Sequence, residues 1–144
     1  MTELDTPTRA KRPQFRNINA LSDLPRYRLP LAGVVSILHR ISGALMFLLL
    51  PFIIWMFDMS VSSEISFARF TRAFEGSGGW LLKLVVLALI WAYLHHLIAG
   101  LRHLRMDMSH AAVSKESGRR SAAVTLVLSI ALTLVLGAKL FALY

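Results

Sequence analysis

The side chains with chemistry in them are histidines and arginines embedded in apolar sequence. One group is SILHRISG, Ser36–Gly43. Ser36, His39, Arg40 and Gly43 follow i, i+3, i+4, i+7 spacing, so one helical face carries all four. The other is AYLHHLIAGLRHLRMD, Ala92–Asp107, which continues from the apolar run LLKLVVLALIW. Here His96, Gly100 and His103 align at i, i+4, i+7, while His95 points about 100° away. A neutral imidazole nitrogen is a good axial ligand for haem iron, and His96 is the candidate. Its alternative is an interhelical hydrogen bond. An arginine inside a membrane helix is costly unless it is paired or wetted. Arg40 therefore either snorkels and pairs between helices, or serves a propionate, a quinone oxygen or a carboxylate of another subunit. Ser36, beside it, either satisfies its own backbone or donates to a quinone carbonyl.

Three apolar spans must position these residues, at roughly 31–57, 80–104 and 122–143. Each reaches the ~20 residues needed to cross ~30 Å of hydrocarbon. LVVLALIW and TLVLSIALTLVLG offer no continuous polar stripe, which excludes a soluble three-helix bundle. Hydrophobic residues make up 56 % of the 144, and mean hydropathy is +0.58. Soluble domains of this size must cover more surface than that composition allows. The expected fold is an all-α integral membrane protein with three transmembrane helices, part of a heteromeric helical bundle. Residues 1–29 read as a cytoplasmic N-terminal arm, and 30–144 as the membrane anchor domain. The arm is polar throughout and is not a signal peptide. Pro30 suits a helix start, and Pro51 is expected to kink the first span. SGGW, Ser77–Trp80, reads as a turn with an interfacial tryptophan, and SKESGRRS, Ser114–Ser121, as the second polar break. FARFTRAFEG, Phe67–Gly76, spaces its aromatics three and four apart and predicts a short amphipathic helix.

The charges orient the chain. Sixteen basic against eight acidic residues give a formal charge of +8. Arg9, Lys11, Arg12, Arg16, Arg26 and Arg28 precede the first span, and Arg105, Lys115, Arg119 and Arg120 separate the second from the third. The positive-inside rule then places the N-terminus in the cytoplasm and the C-terminus in the periplasm. The positive charge is explained without nucleic acid. There is no cysteine, so thiolate sites and disulfides are excluded. His39 lies roughly 12 Å past the start of its span and His96 roughly 12 Å before the end of its own, at 1.5 Å per residue. The two spans run in opposite directions, so both histidines sit at similar depth on one side. Gly100 leaves room beside His96 for something flat or for another helix. Arg102 lies near the face of His95, where a phospholipid headgroup or an anionic cofactor tail is its expected partner. Asp107 is expected to close an ion-pair network with Arg102 and His103. His95 reads as an interfacial or packing residue rather than a ligand, and His110 as solvated. His39 is either a second iron ligand or a propionate neighbour.

Two motifs then match a family. SILHRISG fits the pattern S-x-x-H-R-x-[ST]-G, and HLIAGLRHLRMD, His96–Asp107, fits H-x-x-x-G-x-R-H-x-x-x-D. Arg12 and Pro13 match the RP pair that opens most members. The chain resembles the cytochrome b556 subunits of bacterial succinate dehydrogenase, from Arg12 onward. The resemblance implies a membrane anchor of respiratory complex II in the bacterial inner membrane, working with a second anchor subunit, an iron–sulfur subunit and a flavoprotein subunit. It implies haem b shared with the second anchor, His96 as axial ligand, and His39, Arg40 and His103 beside the propionates. It implies Ser36 and Arg40 at a ubiquinone site. A fumarate reductase anchor using menaquinol, or a structural anchor without haem, are the alternatives. Two positions depart from the pattern. The stretch after Pro13 lacks the SPH-type segment of many members, and Ser109 stands where glycine is usual.

Overall fold

The computed structural model describes residues 19, 21–23 and 26–143. The Arg12–Pro13 pair and most of the N-terminal arm lie outside the described residues. Five α-helices follow in order: α1 (Leu31–Leu48), α2 (Leu50–Val61), α3 (Glu64–Glu75), α4 (Gly79–Met108) and α5 (Lys115–Leu140). A 3₁₀ turn, His110–Val113, joins α4 to α5. Three helices, α1, α4 and α5, are long and apolar enough to cross a membrane. The all-helical expectation holds.

The first span differs from the expected single kinked helix. Pro30 caps α1 with extended backbone, and its carbonyl accepts from Gly33 and Val34. The chain then breaks at Leu49, φ −90° and ψ 3°, and restarts as α2. Pro51 has no N–H to reach the Phe47 carbonyl, but it fits the first turn of a new helix, where that N–H has no intrahelical role. The 18 residues of α1 cover about 27 Å. The residues of α2 are a separate apolar segment.

The predicted amphipathic helix is α3. Ser63 caps it in a reciprocal box with Ser66. Glu64 in its first turn and Arg72 in its last complement the helix dipole. Phe67, Phe70 and Phe74 pair along one face, with ring centroids 6.3 and 5.1 Å apart. The turn into α4 depends on Gly79, because a Cβ there would collide with the Phe74 backbone carbonyl.

α5 starts earlier than the hydropathy implies. Ser114 accepts from the Ser117 N–H, so the helix begins inside the polar break and carries Lys115 to Arg120 in its first turns. Its buried stripe is Ala122, Thr125, Ser129, Thr133 and Gly137. The hydroxyls of Thr125, Ser129 and Thr133 donate back to carbonyls of their own helix, so small side chains pack without orphaned donors. On α4 the buried stripe is Ala92, His95, Ala99 and Arg102. The centre is Val35, Ala99 and Ala122, where α1, α4 and α5 meet. Large apolar side chains such as Phe47, Val127 and Leu134 stay exposed, as a lipid-facing surface requires.

Candidate functional site

α1 and α4 run side by side and bring three histidines together. The rings of His39 and His96 stack with centroids 4.0 Å apart and planes 18° apart. The His103 ring lies 5.2 Å from that of His39, tilted by 48°. His39 thus sits between two residues seven apart on α4, as the matching depths predict.

His96 is oriented by the backbone of α1. Its Nδ1 lies 3.0 Å from the His39 carbonyl oxygen. A carbonyl only accepts, so Nδ1 carries the proton and donates. The lone pair of the neutral ring is then on Nε2, which makes no hydrogen bond among the described residues. A fixed N–H on one nitrogen and a free lone pair on the other is the arrangement of a metal-bound histidine. The residues present therefore fit an axial haem ligand at His96. Stacked rings present faces to each other rather than nitrogens, so His39 and His96 are not arranged as opposed ligands of one iron. Nor do the described residues contain a group of three or more His, Asp and Glu side chains arranged around a bare metal ion.

Two residues that position His96 had no assigned role in the sequence. Ser42 is fully buried, and its Oγ donates to the His39 carbonyl at 2.8 Å while lying 3.3 Å from His96 Nδ1. The hydroxyl thus braces both ends of the contact that sets the tautomer. Gly43 gives the imidazole its space, since a Cβ there would come within 2.9 Å of His96 Cε1. The glycine across from His96 is therefore on α1. Gly100, expected to leave room beside His96 for something flat or for another helix, meets α1: a Cβ there would stand 3.8 Å from Nε2 of His39, whose ring stacks on His96. The signal for both was present, because Ser42 and Gly43 close the motif that begins at Ser36.

Arg40 is exposed and makes no hydrogen bond or ion pair among the described residues. Ser36, one turn earlier, is half-buried. A cation and a hydroxyl are thus presented on the helix that carries His39. Neither closes on another side chain among the described residues.

His95 turns the other way, as the packing expectation requires. It is fully buried, 3.3 Å from Ser129 Oγ on α5 through Nδ1, and stacked on Trp91 with centroids 5.4 Å apart. Its Nε2 is buried and makes no hydrogen bond among the described residues. Arg102 follows the same face. Its Nε donates to Ser121 Oγ at 3.0 Å, and its Nη2 reaches the Gly118 carbonyl at 3.4 Å. The expected network with Asp107 does not form. Five residues separate Arg102 from Asp107, about 140° around the helix axis, so the two side chains diverge. The one ion pair among the described residues joins Arg120 to Glu116 within α5. His110 is exposed in the 3₁₀ turn, as expected of a solvated residue.

Comparison with known proteins finds relatives over most of the chain. Residues 10–136 match the family described as succinate dehydrogenase/fumarate reductase transmembrane subunit. The succinate dehydrogenase cytochrome b556 subunit of Coxiella burnetii is 36 % identical over 107 residues, covering 74 % of this chain and 83 % of that protein. The subunit of the same name from Paracoccus denitrificans is 33 % identical over 98 residues, 68 % of this chain and 73 % of its own. The succinate dehydrogenase cytochrome b560 subunit of Reclinomonas americana is 33 % identical over 87 residues, 59 % of this chain and 60 % of its own. With three helices fit to span a membrane and a histidine site between two of them, the chain belongs to the family of transmembrane cytochrome b subunits of succinate dehydrogenase and fumarate reductase.

Proposed function

We propose that this chain is the haem b- and quinone-binding membrane anchor of a succinate:ubiquinone oxidoreductase. The observation that carries the reading is His96, held by the His39 carbonyl with its Nε2 lone pair free. His96 supplies one axial ligand to haem b. The stacked His39 ring does not supply the other, so the second comes from a companion anchor subunit that shares the haem. His39, Arg40 and His103 serve the propionates. The haem, when bound, supplies a one-electron store beside the quinone. The protein's part is to fix its position and to set its surroundings.

Arg40 and Ser36 form the chain's contribution to the ubiquinone site. A guanidinium and a hydroxyl are donors, and negative charge develops on a quinone oxygen during reduction. Ser36 lies in the first half of α1, toward the side that the charge distribution assigns to the cytoplasm, and Arg40 is one turn further, at its middle. The iron–sulfur and flavoprotein subunits dock on that face. The chain sits in the bacterial inner membrane, N-terminus inside, and has no succinate-oxidising activity alone. The relatives are named for succinate dehydrogenase, which favours succinate oxidation over a fumarate reductase anchor using menaquinol.

The test is Arg40→Leu in the assembled complex. Succinate oxidation with an artificial acceptor is expected to survive while ubiquinone reduction falls about 10²-fold or more, the scale of losing a donor to a developing oxyanion. Equal loss of both activities assigns Arg40 to assembly and contradicts its place at the quinone.

A further inference from the structure

A cleft of about 570 Å³ opens between the end of α4 and the start of α5, away from the histidines. Its polar end is lined by Arg102, Arg105 and Arg120, with Glu116 as the single carboxylate. Glu116 is paired with Arg120, so the cleft holds two cations beyond that pair. Arg102 is 7 % exposed and uses two of its five N–H donors, on a hydroxyl and a carbonyl. No carboxylate answers it among the described residues. The first turn of α5 adds the positive end of its dipole at the same edge, where Ser114 and Ser117 line the cleft. One turn deeper, Ile98, Leu101 and Val124 make an apolar wall.

We propose that this cleft binds the phosphate of an anionic membrane phospholipid, with an acyl chain along Ile98, Leu101 and Val124. The vertical order is that of a lipid: cations and helix N-terminus at the level where α4 ends, hydrocarbon below. The direction fits as well. At about 100° per residue, Ile98, Leu101 and Arg105 lie roughly 140–200° around α4 from His96. If His96 faces the companion subunit, this cleft faces lipid; that placement rests on the proposed function. A soluble phosphate has the same headgroup chemistry but no use for the apolar wall.

The experiment is native mass spectrometry of the intact complex carrying this chain. It is delipidated in mild detergent and titrated with dioleoyl phosphatidylglycerol, dioleoyl phosphatidylcholine or inorganic phosphate. Wild type is expected to bind the glycerol lipid more tightly than the choline lipid, and millimolar phosphate is expected not to displace it. Arg105→Gln is expected to weaken that lipid about fivefold, the scale of one basic residue at a membrane surface. Val124→Trp, which fills the apolar wall, is expected to weaken it too. The haem band is expected to stay unchanged in both variants. Unchanged lipid affinity in either variant overturns the proposal. Displacement by phosphate makes this a small-anion site, and loss of another subunit from Arg105→Gln makes it a protein interface; either overturns it. Absence of haem from wild type would defeat the proposed function and leave the lipid measurement readable.

Discussion

His95 and His96 are the same side chain on adjacent positions of one helix, each with Nδ1 beside a serine and Nε2 without a hydrogen bond among the described residues, yet they face different neighbours. His95 is sealed between helices of its own chain, against Ser129 and Trp91. His96 is half-buried, with one nitrogen fixed by the His39 carbonyl and the other uncommitted. The difference extends along the helix. Arg102 continues the His95 face and joins α4 to α5, while His103 continues the His96 face and closes on α1. One face of α4 completes this subunit. The other leaves the His96 Nε2 lone pair without a partner among the described residues. A rotation of about 100° separates the face that packs on α5 from the face that carries the proposed haem ligand.

The comparison can be broken most severely at Gly43. In Gly43→Val the new Cβ comes within 2.9 Å of His96 Cε1, and an imidazole held by the His39 carbonyl and stacked on the His39 ring cannot swing aside as the end of a flexible side chain would. The expected outcome is loss of most of the haem absorbance per assembled complex, measured by reduced-minus-oxidised spectroscopy. Gly137→Val is the control, because a Cβ there meets only the mobile end of Leu87; its haem content is expected to stay near wild type. Ser42→Ala is milder. It removes the hydroxyl that braces His96 but leaves the His39 carbonyl in place. Loss of an outer-shell partner costs 10–100-fold in metal affinity, so haem retention through detergent washing is expected to fall by about tenfold at most. The smallest effect belongs to the packing face. Ser129→Ala removes one long contact to His95, and thermal unfolding of the complex is expected to report about 0.5–1.5 kcal/mol, with the haem spectrum unmoved. A haem change in Ser129→Ala as large as that in Ser42→Ala would erase the distinction between the two faces.

Much of this was legible in the sequence because it depends on periodicity and hydropathy. Three apolar spans, the matching depth of His39 and His96, and the shared face of His96 and His103 all follow from 3.6 residues per turn. The choice of His96 over His95 rested on its alignment with Gly100 and His103, and packing adds detail to that alignment. Gly100 was read as room for something flat or for another helix, and it meets α1 at His39; the space for the His96 ring itself comes from Gly43. Helical spacing says which residues share a face, not which face meets which neighbour. The same limit explains Arg102. Its contacts to Ser121 and Gly118 depend on how α4 is rotated against α5, and only packing fixes that. Ser42 escaped notice because a helical serine normally satisfies itself on a carbonyl one turn back. It does so here, but that carbonyl is the one that also holds His96. The break at Leu49 shows the local ambiguity of proline, which can kink a helix or open a new one.

The most direct measurement is a dithionite-reduced minus oxidised absorption spectrum of the detergent-solubilised native complex, taken for wild type, His96→Leu and His95→Leu. A b-type haem signal that is lost or shifted in His96→Leu and retained in His95→Leu is the predicted result. A signal unchanged in His96→Leu, with all subunits present, would contradict the assignment of the iron to the α1-facing side of α4.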